Sequence, residues 1–134
     1  MDYFAYASNL SKARMKQYCP EAKPKFSAVL PNYKLVFTGW SREWHGAKAT
    51  IQPYKGAKVA GAVYEISEAD FRKLDKFEDY PGTYTHLNVQ VFNDDDVAVK
   101  AVTYVKVRQE PEGKPAPEYI AIIKQGLKDW ELEN

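Results

Sequence analysis

A chain of 134 residues with 19 basic and 18 acidic side chains, for a formal net charge of +1, can bury one core of ordinary size. It is too short for two typical domains, so residues 1–134 are read as one domain. The balanced charge offers no field to collect nucleic-acid phosphates or an anionic membrane surface, and no apolar run approaches the roughly 20 residues needed to span a bilayer.

A lone cysteine, Cys19, excludes an internal disulfide and a multi-thiolate metal site. With an N-terminus that lacks the charged-then-apolar pattern of a signal peptide, this makes the cytoplasm the expected location. Ten Tyr and three Trp suit either a β-rich core or a pocket with polar tips, and composition does not choose between them.

The first predicted element is a strand over Met1 to Ala7, ended by Ser8-Asn9, whose side chains can cap a helix from Leu10 to about Tyr18. Pro20 stops that helix. From Lys25 to Phe37, β-branched and aromatic residues flank Pro31-Asn32, which predicts two strands or one bent strand. Thr38 to Gly46 reads as a loop, and further strands follow at Ala47 to Pro53 and Val59 to Ile66, with Lys55-Gly56 as the turn between them.

Ser67 with Asp70 resembles a capped helix start, Phe71, Leu74 and Phe77 recur on one helical face, and Pro81-Gly82 sets the end near Tyr80. Two strands, about Tyr84 to Phe92 and Val97 to Val107, then form a hairpin around Asn93-Asp94-Asp95-Asp96. Gln109 to Pro117, with three prolines, is a stiff surface connection to a last helix, Glu118 to about Leu132. Six or seven strands with three short helices place the chain in the α+β class. Short connections predict a small mixed, mainly antiparallel β-barrel with flanking short helices.

Among residues that could carry chemistry, Glu78 sits at a helix end before Asp79-Tyr80-Pro81-Gly82. The negative end of the helix dipole and enclosure by Phe77 and Tyr80 would raise its pKa into the range where a carboxyl exchanges protons near neutrality. Spacing alone equally describes Glu78 and Asp79 as solvated helix-end charges, the commoner case. The strand end at Ser8-Asn9 would leave free backbone N–H groups able to hold an anion, and the commoner reading of the two residues is that they cap the helix. Only two histidines, His45 and His86, are present, too few for a zinc set. Asp94 to Asp96 read as a solvated turn and Cys19 as a helix-end residue. Tyr84 and Tyr119 are core or pocket residues.

These segments combine in an ordered way. Tyr3-Phe4-Ala5-Tyr6-Ala7-Ser8-Asn9-Leu10 resembles the YGSNL signature of the γ-glutamylcyclotransferase family. Trp44-His45-Gly46 with Ala49-Thr50-Ile51, Gly61-Ala62-Val63-Tyr64, Leu74-Asp75-Lys76-Phe77-Glu78, Pro81-Gly82-Thr83-Tyr84 and Pro115-Ala116-Pro117-Glu118-Tyr119 resemble further family segments in the same order. The resemblance spans nearly the whole chain. It implies a small mixed β-barrel with flanking helices, Glu78 as general acid/base, residues Tyr3, Phe4, Ala5, Tyr6, Ala7, Ser8, Asn9 and Leu10 as the substrate segment, and Tyr84 and Tyr119 lining the pocket, with no metal and no cofactor.

One residue departs from the signature: the family glycine is Ala7 here. If the position needed φ > 0 or a very close ligand approach, the methyl group would cost about 1 kcal/mol or block contact. The reaction implied is intramolecular aminolysis of a γ-glutamyl amino acid or γ-glutamyl amine to 5-oxoproline with release of the free amine. The expected partner is a small molecule bound by a monomer or homodimer, with no nucleic acid and no membrane. A catalytically silent binding module of the same fold is the alternative. A nucleic-acid-binding barrel is disfavoured by the absence of a basic stripe.

Overall fold

The structure, a computed structural model, describes residues 1–132. Its frame is one long hairpin. Strand β2 runs over Lys23–Ser41 and strand β3 over Gly46–Glu65, antiparallel from Lys23↔Glu65 at one end to Ser41↔Gly46 at the other.

Neither expected interruption divides these strands. Pro31-Asn32 and Lys55-Gly56 lie opposite one another at an irregularity in the pairing, between the Pro31↔Lys58 and Tyr33↔Pro53 pairs. There Asn32 (φ 64°) and Gly56 (φ 87°) both take the left-handed conformation, and the Gly56 N–H donates to Asn32 Oδ1 at 3.1 Å. The turn-forming residues are thus spent on a bulge that bends two continuous strands. Likewise Thr38 to Ser41 continue β2, and the turn is confined to residues 42–45, where the His45 N–H donates to the Ser41 carbonyl at 2.8 Å. Among the described residues the strand count is therefore five, not six or seven.

The other strands are β1 (Asp2–Ala5), β4 (Tyr84–Asn93) and β5 (Ala98–Lys106). They close a barrel in the order β1-β3-β2-β4-β5. All neighbours are antiparallel except β1 and β5, which meet in parallel at Tyr3↔Val102. The α+β class and mainly antiparallel barrel expected from the sequence are those observed. The β4–β5 hairpin turns where predicted, with Asn93 Oδ1 accepting from the N–H groups of Asp95 and Val97.

Three helices flank the barrel: α1 (Lys12–Tyr18), α2 (Glu68–Phe77) and α3 (Pro117–Asp129). Among the described residues, none is long and apolar enough to cross a membrane. The capping box at the start of α2 forms between Ser67 and Asp70 as expected, although the helix stops at Phe77 and leaves Glu78 as its C-cap. The start of α1 differs more. Ser8–Leu10 make a single 3-10 turn, and the cap of α1 is Ser11, whose Oγ accepts from the Arg14 N–H at 3.2 Å. Ser8 and Asn9 therefore do not cap α1 with their side chains. The connection over residues 109–117 is pinned along β2, with the Gly39 N–H donating to Pro111 and the Gly113 N–H to Phe37, each at 3.0 Å.

The barrel interior is filled by Phe4, Leu30, Val63 and Val91, while Met15, Tyr64, Ile66 and Leu74 form a second cluster under the helices. Helix α3 reaches the 3-10 turn through Gly126, where an added Cβ would meet Leu10 Cβ and lie 2.6 Å from the Ser11 nitrogen. Leu10 is also held by its carbonyl, which accepts from Trp130 Nε1 at 2.9 Å and from the Tyr64 hydroxyl at 3.3 Å.

Candidate active site

Strand alternation sets the first half of the site. In β1, Tyr3 and Ala5 face the cluster under the helices and Phe4 the barrel interior. Beyond the strand, Tyr6 is buried and its hydroxyl donates to the Tyr104 carbonyl at 2.7 Å. The chain then bends into the 3-10 turn. Ala7 lies at φ −135° and ψ −123°, so φ is negative and the left-handed requirement considered for this position does not arise. The first bonds of the turn are donated by Leu10 and Ser11, which leaves the N–H groups of Ala7, Ser8 and Asn9 outside the intrahelical pattern.

These residues edge a pocket of about 30 Å³, lined by Tyr3, Tyr6, Ala7, Ser8, Asn9, Lys48, Ala49, Glu78, Tyr84, Thr103, Tyr104 and Tyr119. Its walls are fixed through the main chain. The Ala49 peptide is gripped from both sides, its N–H donating to the Tyr119 oxygen at 3.0 Å and its carbonyl accepting from the Tyr84 hydroxyl at 2.6 Å. The Thr103 hydroxyl ties β5 to β1 by donating to the Phe4 carbonyl at 2.7 Å. Asn9 Nδ2 donates to the Tyr3 oxygen at 2.9 Å.

Glu78 enters from the end of α2. It is partly exposed as a residue, yet its carboxyl is surrounded densely enough that desolvation lifts its pKa above the ordinary carboxylate range. Lys48 and Arg14 pull in the opposite direction, Glu43 adds to the rise, and a hydrogen bond with the Asn9 side chain lowers it. The phenols of Tyr3, Tyr6, Tyr84, Tyr104 and Tyr119 are all pushed upward, chiefly by burial. At neutral pH they are neutral hydrogen-bonding walls.

Eight of the eleven sequence candidates, Tyr3, Tyr6, Ala7, Ser8, Asn9, Glu78, Tyr84 and Tyr119, line this one pocket. Phe4, Ala5 and Leu10 do not. All three are at most 1% exposed, with Phe4 and Ala5 packed in the core and Leu10 under α3. Sequence reasoning did not name Lys48, Thr103 or Tyr104, nor Arg14, whose guanidinium lies over the rings of Tyr18 and Trp44 at 4.7 and 5.2 Å. A lysine and a threonine within strands carry no local mark, and Lys48 reveals itself only through its neighbour across the fold. Cys19 is buried with its thiol pushed up to about 11, and Asp94 to Asp96 are exposed in their turn. His86 stands outside the pocket, paired with Asp75.

Comparisons with known proteins agree with this architecture. The family model described as "Gamma-glutamyl cyclotransferase, AIG2-like" matches residues 3–130. A human protein named gamma-glutamylcyclotransferase is 32% identical over 132 residues, which cover 95% of this chain and 70% of that protein. A solved structure of a gamma-glutamyl cyclotransferase superposes with a TM-score of 0.93 at 30% identity, covering 98% of this chain and 80% of the other. The Bacillus subtilis protein YkqA superposes with a TM-score of 0.83 at 28% identity, covering 97% of this chain and 49% of its own. With a match over nearly its full length, the chain belongs to the gamma-glutamyl cyclotransferase, AIG2-like family.

Proposed function

We propose that the protein is a cyclotransferase that converts a γ-glutamyl amino acid or γ-glutamyl amine to 5-oxoproline and the free amine, acting in the cytoplasm on small molecules. The observation that carries the reading is the meeting of Glu78, its pKa raised, with the Tyr6 to Asn9 segment in one small pocket.

The α-nitrogen of the substrate attacks its own γ-carbonyl carbon, a C–N bond closes the five-membered ring, and the original amide C–N bond breaks. Both reacting groups belong to one molecule, so the enzyme's task is to hold the near-ring conformer and manage protons. Glu78 takes a proton from the attacking ammonium and returns it to the leaving nitrogen, so one carboxyl serves both steps. The N–H groups of Ala7, Ser8 and Asn9 face the negative end, either the α-carboxylate or the developing oxyanion. The exchange is redox-neutral and supplies both nucleophile and electrophile from the substrate, so it calls for no cofactor. Phe4, Ala5 and Leu10 support the segment from behind instead of touching the ligand.

Incubation with a panel of γ-glutamyl dipeptides and γ-glutamyl amines, assayed for 5-oxoproline, tests the reading and identifies the leaving group. Formation of 5-oxoproline from no member of the panel would sink it. A pH profile adds a check on the electrostatics. Lys48 lowers the Glu78 pKa, so Lys48→Met should raise it and move the ascending limb of kcat/KM to higher pH. A limb that stays in place would show that Lys48 does not act on the titrating group.

A further inference from the structure

One polar constellation beside the pocket is not used by the reaction above. Asp75, three residues before Glu78 on α2, holds two partners on a single carboxylate oxygen, the Tyr104 hydroxyl at 2.6 Å and His86 Nε2 at 2.7 Å. A carboxylate can only accept, so both partners donate, and the imidazole carries its proton on Nε2. Charge-assisted bonds of this length belong to the stronger class, and the pair is largely shielded, with side-chain exposures of 29% for His86 and 21% for Asp75.

The placement of these groups is more specific than a tie of helix to sheet. His86 on β4 lies between two rings that bracket Asp75 along the chain, Phe71 at 4.4 Å and Tyr80 at 3.9 Å, the latter stacked within 2° of parallel. Tyr104 on β5 is itself a pocket wall and sets its ring edge-on against Tyr3 at 5.9 Å. The main chain links Asp75 to the Glu78 turn, since the Tyr80 N–H donates to the Asp75 carbonyl at 2.8 Å and the Glu78 N–H to the Leu74 carbonyl at 2.8 Å. A shift of Asp75 would therefore be passed both to the Glu78 turn and to the Tyr104 wall of the pocket.

We propose that Asp75 and His86 form a positioning pair that fixes Glu78 and Tyr104 relative to one another, an inference that rests on the reading of Glu78 as the acid/base group. The pair touches no substrate. Its contribution is geometric, and misplacement of a reacting group by about 1 Å can cost on the order of 10²-fold in rate.

Three variants test this. Asp75→Asn keeps an oxygen that accepts both bonds, Asp75→Leu keeps none, and His86→Phe keeps the stacked ring but not the donor. On the best γ-glutamyl substrate of the panel, Asp75→Leu and His86→Phe are expected to lower kcat at least about tenfold with KM within about threefold, and Asp75→Asn to retain most of kcat. Equal losses in Asp75→Asn and Asp75→Leu would make charge, not geometry, the cause and overturn the proposal. So would a lowered Tm with unchanged kcat, the signature of a purely structural tie. If Asp75→Leu does not fold, His86→Phe carries the comparison. A second readout needs no turnover: the Glu78 carboxyl is titrated by ¹³C NMR, its signal assigned by loss in Glu78→Gln. His86→Phe alters no carboxylate, yet should move the Glu78 midpoint by at least about half a unit toward the ordinary range as the turn loosens. An unmoved midpoint overturns the pair even where no 5-oxoproline forms, whereas a moved midpoint without 5-oxoproline retires only the acid/base reading.

Discussion

Glu78→Gln is expected to lower 5-oxoproline formation by about 10²- to 10⁴-fold, the usual range for loss of general acid/base help, while ligand affinity stays near that of the parent. Gln keeps the length and hydrogen-bonding reach of Glu but cannot carry the proton between the two nitrogens. A role in positioning alone would instead mostly raise KM. The same substitution should leave stability equal or higher at neutral pH. The folded-state pKa of Glu78 lies above its unfolded value, so between the two the folded chain binds more protons and stability falls as pH rises. Removing the carboxyl abolishes that penalty, and the Tm difference between variant and parent should vanish as pH drops below the ordinary carboxylate range. Near-normal turnover in Glu78→Gln would move the acid/base role elsewhere. Glu43, close enough to raise the Glu78 pKa, would be tested next, ahead of Glu65, which sits exposed at the far end of β3 paired with Asp2 and Lys23.

Gly126→Ala is expected to destabilise the fold, although it replaces a helical glycine by the best helix former. In an unconstrained helix the substitution gains about 1 kcal/mol in propensity. Here the new methyl would meet Leu10 Cβ and approach the Ser11 nitrogen to 2.6 Å. Main chain cannot swing aside as a side-chain tip does, so overpacking of about 1–3 kcal/mol outweighs the gain. The net loss of up to about 2 kcal/mol should show as a fall of up to roughly 10 °C in Tm. Activity should suffer at temperatures well below the transition, because Leu10 also receives Trp130 and Tyr64 on its carbonyl and leads directly back to Asn9. An unchanged Tm would mean that α3 does not seat through this glycine.

How much could be read from residues alone depended on whether a signal was local. The Ser67–Asp70 capping box and the Asn93 turn are complete within a few positions, and both formed where the pattern placed them. Pro31-Asn32 and Lys55-Gly56 show the limit. Each is an ordinary turn signal, and only their facing one another across two strands converts them into a bulge. Ser11 displaced Ser8 and Asn9 as the cap because one tight 3-10 turn came first, a choice between neighbouring hydroxyl and amide residues that spacing does not rank. In the site, the N-terminal segment and Glu78 carried recognisable patterns. Lys48, Thr103 and Tyr104 became visible only when β3 and β5 closed around them.

The bonds that hold the pocket walls also bear on how the chain acquires its site. Tyr84 to Ala49 spans 35 positions, Ala49 to Tyr119 spans 70, Tyr6 to Tyr104 spans 98 and Thr103 to Phe4 spans 99. Contacts of such separation form late, because the entropy of closing the intervening loops is lost before any of them is made. The N-terminal segment can meet Glu78 in its final geometry only once β5 has docked beside β1. Ligand-binding capacity should therefore return during refolding in step with the near-ultraviolet signal of the packed tyrosines, not with the earlier far-ultraviolet signal of the helices.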